Sequence, residues 1–308
     1  MNNIICIVGP TASGKTKLSI ELAKAYDGEV LSCDSMQIYR RMDIGTAKPT
    51  KEEMDGIRHH MIDIIEPGES FSVSRYVEMA DPILQDILAR GKRCIIAGGT
   101  GLYVDSLIAG RSFAPFPETG KRQALEKLCE EKGMETLREY LRTFDPDSAD
   151  RLQDARRIIR ACEVYEETGK TITQHNLETQ AMEPKYRPLW LGLDFEDRKQ
   201  LYDRIDLRVD LMMEQGLLEE VRSVSMSSTC LQAIGYKEPL AALRGEMTME
   251  EAMQKVKQES RRYAKRQLTW FRRNKDIHWI IQRQPLDFSD TWKKATQILE
   301  ASSDFDSM

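Results

Sequence analysis

The chain begins with a phosphate-binding motif in the local context that such a motif requires. Residues 9–16 read GPTASGKT, which matches the pattern G-x-x-x-x-G-K-[ST] at every fixed position. The apolar run 4–8 before it predicts a strand, and the pattern over 15–26 after it predicts a helix. A strand, a glycine-rich turn and a helix N-terminus in this order direct backbone N–H groups toward phosphate oxygens. The first element of the fold is therefore predicted to be a P-loop.

The motif alone does not identify which phosphate-containing compound the loop binds. Lys15 supplies a mobile positive charge, and the Thr16 hydroxyl can ligate Mg²⁺. Enzymes that hydrolyse ATP or GTP usually add an aspartate at the end of a second apolar strand. The most apolar candidate strand here, 93–97, runs into GGTG without a carboxylate, whereas the shorter run 30–34 ends in Asp34. A standard nucleotide-hydrolysing site is therefore not indicated, and Asp34 needs another role.

Composition narrows the class of protein. The 308 residues, 41% hydrophobic and 31% charged, are typical of a globular chain with two ordinary domains. A net charge of −5 restricts any nucleic-acid contact to a local basic patch. We found neither an apolar run long enough for a membrane span nor a signal peptide, and the six cysteines are scattered. These features predict a cytoplasmic protein with reduced, mostly buried thiols.

Strand and helix patterns alternate over residues 1–113, with strands expected at 3–8, 29–33 and 92–97 and helices at 15–26 and 74–90. This alternation predicts an α/β fold, a P-loop-containing doubly wound parallel sheet. Ligands of such sheets bind at the carboxyl ends of the strands. The phosphate loop, Asp34 and residues 98–100 all fall at such ends, so we expect them to share one cleft.

Two proline-containing linkers enclose a region with helix signals only. They predict a helical insertion over 114–187 between two parts of the core, 1–113 and 188–308. Within the insertion, Asp145-Pro146 is typical of a helix start and Gly169 of a helix end. Apolar residues at helical spacing between them predict one helix over 147–168, with Arg156, Arg157 and Arg160 beside the apolar stripe.

Two further helices carry arginines whose role the sequence leaves open. A helix predicted over 198–224 places Arg204 and Arg208 on one face. They could be surface arginines that pair with nearby aspartates, at 203, 206 and 210, or one of them could close over a phosphate. Residues 255–275 contain nine basic side chains and one acidic one, interleaved with Tyr263, Trp270 and Phe271. This segment suits looped or single-stranded RNA, but also an amphipathic helix with Trp270 in the core.

Several longer strings together resemble the tRNA dimethylallyltransferases of bacterial type over nearly the whole chain. They are GPTASGKT (9–16), DSMQIYRRMDIGTAKPT (34–50), HHMIDI (59–64), GGTGLY (98–103), IGYKE (234–238) and RRYAKRQLTWFRR (261–273). The resemblance implies transfer of a dimethylallyl group from dimethylallyl diphosphate to N6 of adenosine 37, in tRNAs reading codons that begin with U. It also implies Mg²⁺, and a tRNA anticodon stem-loop as substrate of a protein without an obligate protein partner, acting as a monomer.

The resemblance assigns roles to individual residues. Asp34 matches the base for the adenine amine, with Thr100 near that amine and Lys15 on the diphosphate. The diphosphate would be held by the P-loop and one arginine, which are Gly9, Thr11, Ala12, Ser13, Gly14, Lys15, Thr16 and Arg208, with Thr16 on the metal. The tRNA would contact Asp34, Ser35, Met36, Gln37, Thr100, Arg122, Arg156, Arg157, Arg160, Gly235, Lys237, Lys265, Arg266, Gln267, Trp270 and Arg272.

Two other interpretations of the residues remain open at this point. A small-molecule or nucleotide kinase with a helical lid would explain the P-loop and Arg204 or Arg208, but not the basic segment 261–273. An RNA-binding module with a vestigial P-loop would explain that segment, but not the intact Lys15 and Thr16.

Overall fold

A computed structural model describes residues 3–111, 113, 119–181, 183–224, 230, 233–283 and 285–302. The chain divides into two compact units, each described here by itself. The first comprises Met1–Gly110 and Tyr186–Met308, and the second comprises Arg111–Lys185. The second unit begins three residues before the insertion expected at 114–187 and ends two residues before its expected end.

The first unit is built on a six-stranded sheet in the order β3-β2-β4-β1-β5-β6, in which every neighbouring pair is parallel. The strands are β1 Ile4–Val8, β2 Gly28–Ser32, β3 His59–His60, β4 Arg93–Ala97, β5 Leu189–Phe195 and β6 Ile277–Gln282. The four inner strands are buried along nearly their whole length, as their apolar runs predict. The two edge strands were not predicted, because β3 has two residues and β6 is buried only at some positions.

Helices flank this sheet. In the first unit they are α1 Lys15–Ala25, α2 Lys51–Met54, α3 Val73–Ala89, α4 Gly101–Ala109, α10 Arg198–Glu214, α11 Leu217–Ser223, α12 Lys237–Leu243, α13 Met249–Phe271 and α14 Phe288–Ala301. The prediction of one helix over 198–224 was wrong. Gly216 separates α10 from α11 because its φ of 99° lies in the left-handed region, which interrupts a right-handed helix.

The core of the first unit forms where α1 and α14 pack against the central strands. Leu18 and Leu22 of α1 and Leu299 of α14 are fully buried against Ile7 and Leu191. Five of the six cysteines are buried, and all six are free thiols, as expected. None of the helices in the described part of the chain is long and apolar enough to cross a membrane.

The second unit contains helices only within its described residues. They are α5 Lys121–Lys132, α6 Met134–Arg142, α7 Pro146–Arg151, α8 Ala155–Thr168 and α9 Ile172–Ala181. Asp145 caps α7 and Gly169 ends α8 with a φ of 70°, as predicted. The single helix expected over 147–168 was wrong, because the Asp154 side chain accepts the Arg157 N–H at 3.2 Å and starts a new helix.

Candidate active site

The carboxyl ends of β1, β2 and β4 open into one cleft of about 890 Å³. Its lining includes the P-loop from Thr11 to Thr16, Asp34 after β2, and Gly98-Gly99 after β4. The convergence expected from the sequence is therefore present for the P-loop, Asp34 and Gly98-Gly99, whereas Thr100 is not among the lining residues. Each segment leaves a parallel strand at the same edge of the sheet, so the topology alone brings them together.

The P-loop backbone is fixed by close contacts that other residues would not permit. A Cβ on Gly9 would lie 2.5 Å from the Leu193 carbonyl oxygen, so β5 approaches the loop too closely for a side chain. Gly14 precedes α1 with a φ of 91°, a conformation that L-residues seldom adopt. The Gln282 side chain donates from Nε2 to the Ser13 carbonyl oxygen at 2.9 Å. Sequence reasoning missed Gln282, which lies on the unpredicted strand β6.

The Lys15 side chain folds back over the first residues of the P-loop. Its Nζ donates to the Pro10 carbonyl oxygen at 2.6 Å. Burial and the positive charge of Arg208 lower the pKa of Lys15 to about 7, and the Asp34 carboxylate opposes that shift. The two cations and the carboxylate are therefore close enough to influence one another.

Arg204 and Arg208 both reach the P-loop from α10. Arg204 Nε donates to the Ala12 carbonyl oxygen at 2.9 Å, and Arg208 Nη1 donates to Thr11 Oγ1 at 3.0 Å. Burial lowers the pKa of Arg208 below its ordinary value. The surface-pairing interpretation was wrong for both arginines. The three aspartates pair elsewhere, in the ion pairs Lys199–Asp203, Arg261–Asp206 and Lys257–Asp210.

Asp34 is held at the end of β2 by the turn that follows it. Its Oδ1 accepts N–H groups from Met36 at 2.8 Å and Gln37 at 3.3 Å. The segment after β4 supports this turn, since Thr100 Oγ1 accepts the Ser35 N–H at 3.1 Å. These bonds orient the carboxylate within the cleft and use one of its two oxygens.

Helix α13 also reaches the cleft. Gln267 accepts the Thr11 N–H at 2.8 Å through Oε1 and donates to the Gly99 carbonyl oxygen at 3.0 Å through Nε2. A Cβ on Gly99 would lie 2.0 Å from that Nε2, so a side chain at this position would displace the Gln267 amide from its present bonds. Burial raises the pKa of Tyr263, one turn earlier, to about 12, and the Asp34 carboxylate adds to this shift. Gln267, expected to contact tRNA, therefore joins the P-loop to the end of β4.

Three basic residues expected to contact tRNA lie in the last turns of α13 or directly after it, at Arg272. Lys265 and Arg266 are exposed, and the Arg266 guanidinium lies 5.6 Å from the Tyr263 ring centroid. The Arg272 side chain is also more than half exposed, although it donates to the buried Asp194 carboxylate at 2.8 Å. Lys265 and Arg266 therefore present their charge to solvent.

The sequence left open whether the aromatic side chains of this segment face RNA or pack inward, and two of them make contacts within the protein. Phe271 is 2% exposed and belongs to the core. Trp270 donates from Nε1 to Asp105 at 2.8 Å and packs where Gly101 leaves no room for a side chain. The alternative in which Trp270 anchors the helix is therefore the better description.

The remaining predicted tRNA contacts include four arginines of the second unit and two residues at or just before the start of α12. In the second unit Arg156 and Arg157 are exposed, whereas Arg122 and Arg160 both pair with Glu163, at 3.4 and 2.8 Å. In the first unit Gly235 has a φ of 89°, and its N–H is accepted by Glu238 at 3.0 Å. Lys237 beside it is exposed.

A metal ion at the P-loop would have the Thr16 hydroxyl as its protein donor, together with phosphate oxygens of a bound ligand. Thr16 is exposed in the cleft. Within the described ranges no three His, Cys, Asp or Glu side chains cluster in a way that could hold a metal ion. A site with one protein hydroxyl and phosphate oxygens suits Mg²⁺, which keeps several waters and shares substrate phosphates. The residues therefore fit a magnesium ion that arrives with a phosphorylated ligand.

Comparison with known proteins gives a consistent answer. The family model described as IPP transferase matches residues 37–274, and the one described as isopentenyl transferase matches residues 2–70. A tRNA dimethylallyltransferase of Thermoanaerobacter sp. (strain X514) is 45% identical, over 98% of this chain and 99% of that protein. The one from Bacillus cytotoxicus is 50% identical, over 90% and 89% respectively.

Solved structures that resemble this chain are also of transferases of this kind. The full-length tRNA isopentenylpyrophosphate transferase of Bacillus halodurans is 41% identical with a TM-score of 0.72, covering 97% of this chain and 96% of that one. A eukaryotic dimethylallyltransferase, studied in crystallographic snapshots while acting on tRNA, is 30% identical with a TM-score of 0.83. That alignment covers 98% of this chain and 78% of the eukaryotic one.

Proposed function

The chain belongs to the tRNA dimethylallyltransferase family, and we propose that it transfers the dimethylallyl group of dimethylallyl diphosphate to N6 of adenosine 37. The acceptors would be tRNAs that read codons beginning with U, and diphosphate would be released. Family membership makes the chain a prenyltransferase, so the kinase and the RNA-binding module without activity no longer apply.

The observation that carries the proposal is the combination of groups in the cleft. The Lys15 amine and the Arg208 guanidinium both lie at the P-loop, where an anionic ligand would favour the charged form of Lys15, while Asp34 brings a carboxylate to the same cleft. The loop and the two cations suit the diphosphate of the donor. Apolar side chains, among them Leu207 and Leu211 of α10, complete the lining and suit a short hydrocarbon chain.

The reaction needs a base and a stabilised leaving group. The adenine amine is a weak nucleophile, since its lone pair is delocalised into the ring. As N6 bonds to the allylic carbon, the proton passes from N6 to the Asp34 carboxylate. The carbon–oxygen bond of the donor breaks, and its electron pair leaves with the diphosphate. Lys15, Arg208 and the loop N–H groups stabilise that developing charge.

Thr16 would hold Mg²⁺ together with the donor diphosphate. The ion would supply further positive charge on the leaving group. Exposed basic residues, among them Lys265 and Arg266 of α13 and Arg156 and Arg157 of α8, suit the phosphates of an anticodon stem-loop. The target adenosine must leave its stack to reach Asp34, which costs a few kcal/mol that RNA contacts can offset. We propose that the enzyme acts as a monomer.

The test is a defined reaction. Purified protein is incubated with dimethylallyl diphosphate, unmodified tRNA and Mg²⁺, and the digested nucleosides are analysed by mass spectrometry. We expect adenosine with one added dimethylallyl group, located at position 37 by fragment mapping. A parallel reaction with ATP in place of the donor should give neither product nor ATP turnover. Prenylation at another position, or none, would contradict the proposed site.

A further inference from the structure

We propose that Glu220 of α11 is a positioning residue for the end of the cleft that receives the target adenosine. The inference rests on the proposed function, since it concerns the segment expected to contact the base. We call residues 34–37 the base-contact turn and residues 43–47 the supporting loop. Glu220 belongs to neither segment and has no role in the sequence-based assignment.

Glu220 binds the supporting loop through three consecutive backbone N–H groups. One carboxylate oxygen accepts from Asp43 and Ile44, both at 2.8 Å, and the other accepts from Gly45 at 3.0 Å. A carboxylate that accepts several backbone N–H groups forms strong, charge-assisted bonds. Glu220 therefore fixes the backbone of the supporting loop from a helix nearly 180 residues further along the chain.

Tyr236 holds the carboxylate from the other side. Its hydroxyl donates to Glu220 Oε1 at 2.6 Å, and its side chain is fully buried. Burial, followed by the Glu220 carboxylate, raises the pKa of Tyr236 well above its ordinary value. A Cβ on Gly45 would lie 2.4 Å from the Tyr236 ring, so loop and ring are in close contact. Glu220 and Tyr236 thus act on the supporting loop as one unit.

The supporting loop in turn orients Gln37 of the base-contact turn. Gln37 Nε2 donates to the carbonyl oxygens of Thr46 at 3.3 Å and Ala47 at 3.2 Å. These two bonds use the amide hydrogens of Gln37, and its Oε1 accepts a long bond from the Ser32 hydroxyl, at 3.4 Å. The Gln37 N–H also bonds Asp34 Oδ1 at 3.3 Å. A shift of the supporting loop would therefore move both Gln37 and the catalytic carboxylate.

The P-loop lies outside this chain of bonds. Among the described residues, the side chains that hydrogen-bond to it from other elements are Arg204 and Arg208 of α10, Gln267 of α13 and Gln282 of β6. Loss of the Glu220 carboxylate should therefore impair use of tRNA and leave binding of the diphosphate donor intact. A general loss of stability would instead lower the active fraction and affect both substrates alike.

The experiment compares Glu220→Gln with the parent and with Glu219→Gln. Glu219 is the adjacent carboxylate on the same helix, and its side chain is 73% exposed. Glu220→Gln keeps the size but turns an NH₂ group toward backbone N–H groups. We expect kcat/KM for tRNA to fall about tenfold to a hundredfold, as for a small displacement of reacting groups. The dissociation constant of dimethylallyl diphosphate, from calorimetry, should stay within about twofold, and Glu219→Gln should match the parent.

Tyr236→Phe is the milder variant, and it serves if Glu220→Gln does not fold. It removes one hydrogen bond and leaves the three backbone bonds of Glu220, so a loss of about threefold to tenfold on tRNA alone is expected. The inference is overturned if donor affinity falls in step with activity on tRNA, or if every variant matches the parent. A parent that fails to prenylate tRNA would instead overturn the proposed function, and this inference with it.

Discussion

Replacing Arg208 with glutamine should reduce catalysis without reducing stability. The guanidinium is desolvated, stands close enough to Lys15 to lower the pKa of that amine, and makes one hydrogen bond to Thr11. Losing a hydrogen bond to a charged group costs about 1.5–3 kcal/mol. Relief of charge repulsion and of a buried charge offsets that cost, so we expect a net change in unfolding free energy within about 1 kcal/mol.

The catalytic effect should be much larger. Removing one donor that stabilises charge in the transition state lowers kcat by about 10²–10³, or roughly 2.7–4 kcal/mol. A stability change of about 1 kcal/mol moves the melting temperature of a domain of 150–250 residues by only about 2–4 °C. A large fall in kcat with a small shift in melting temperature is therefore expected of a ligand-binding arginine, and the reverse of a structural one.

The assay combines single-turnover prenyl transfer at saturating tRNA with thermal unfolding of the same preparations. Arg222→Gln is the matched control, since Arg222 is exposed and pairs with Glu219 at 3.8 Å on α11. The control should match the parent in both measurements. A large fall in melting temperature for Arg208→Gln, with nearly normal turnover, would refute the assignment of Arg208 to the diphosphate.

Three further outcomes follow from the structure. Asp34→Asn is nearly isosteric but cannot take up the proton, so single-turnover rates should fall about 10²–10⁴-fold while tRNA affinity changes little. If tRNA affinity were lost and the single-turnover rate stayed normal, Asp34 would be a recognition residue instead. Lys265→Ala should lower the slope of log affinity for tRNA against log salt by about one, whereas Lys257→Ala should not, because Lys257 pairs with an aspartate. Hydrogen bonds from Arg90 hold the pKa of the buried Glu29 at about 2, so its stabilisation is present above the ordinary glutamate pKa and is lost as pH falls toward 2. Glu29→Gln should therefore unfold more easily than the parent in urea at pH 7, by about 1.5–3 kcal/mol, and the difference should shrink below pH 4.5; a constant difference would contradict this.

The sequence by itself determined the parts of the protein that depend on local patterns. The P-loop could be predicted because its glycines, its lysine and the flanking strand and helix lie within a few residues of one another. The carboxyl ends of β1, β2 and β4 could be placed together, because parallel strands with crossover helices put these ends at one edge. The sequence pattern alone was therefore enough to predict that Asp34 lies in the cleft.

Helix interruptions and edge strands were harder, since they depend on weaker local signals. The apolar spacing of 147–168 is helical throughout, yet Asp154 competes as a cap and divides it into α7 and α8. The apolar run of β6 is only three residues long, 279–281, because as an edge strand it is covered at only some of its positions. Parallel pairing with β5 stabilises β6, although the apolar pattern of β6 is too weak to predict a strand.

Only the tertiary structure decided which side chains complete the site. Arg204 and Arg208 could have paired with nearby aspartates, but their partners are Ala12 and Thr11, more than 190 residues away in the chain. Gln267 contacts Thr11 and Gly99, and Glu220 contacts the loop at 43–45. Residue type and spacing cannot specify such bonds, because each depends on the packing of helices against the sheet. The sequence thus determined where the chemistry is located, and the packing determined which groups hold it in place.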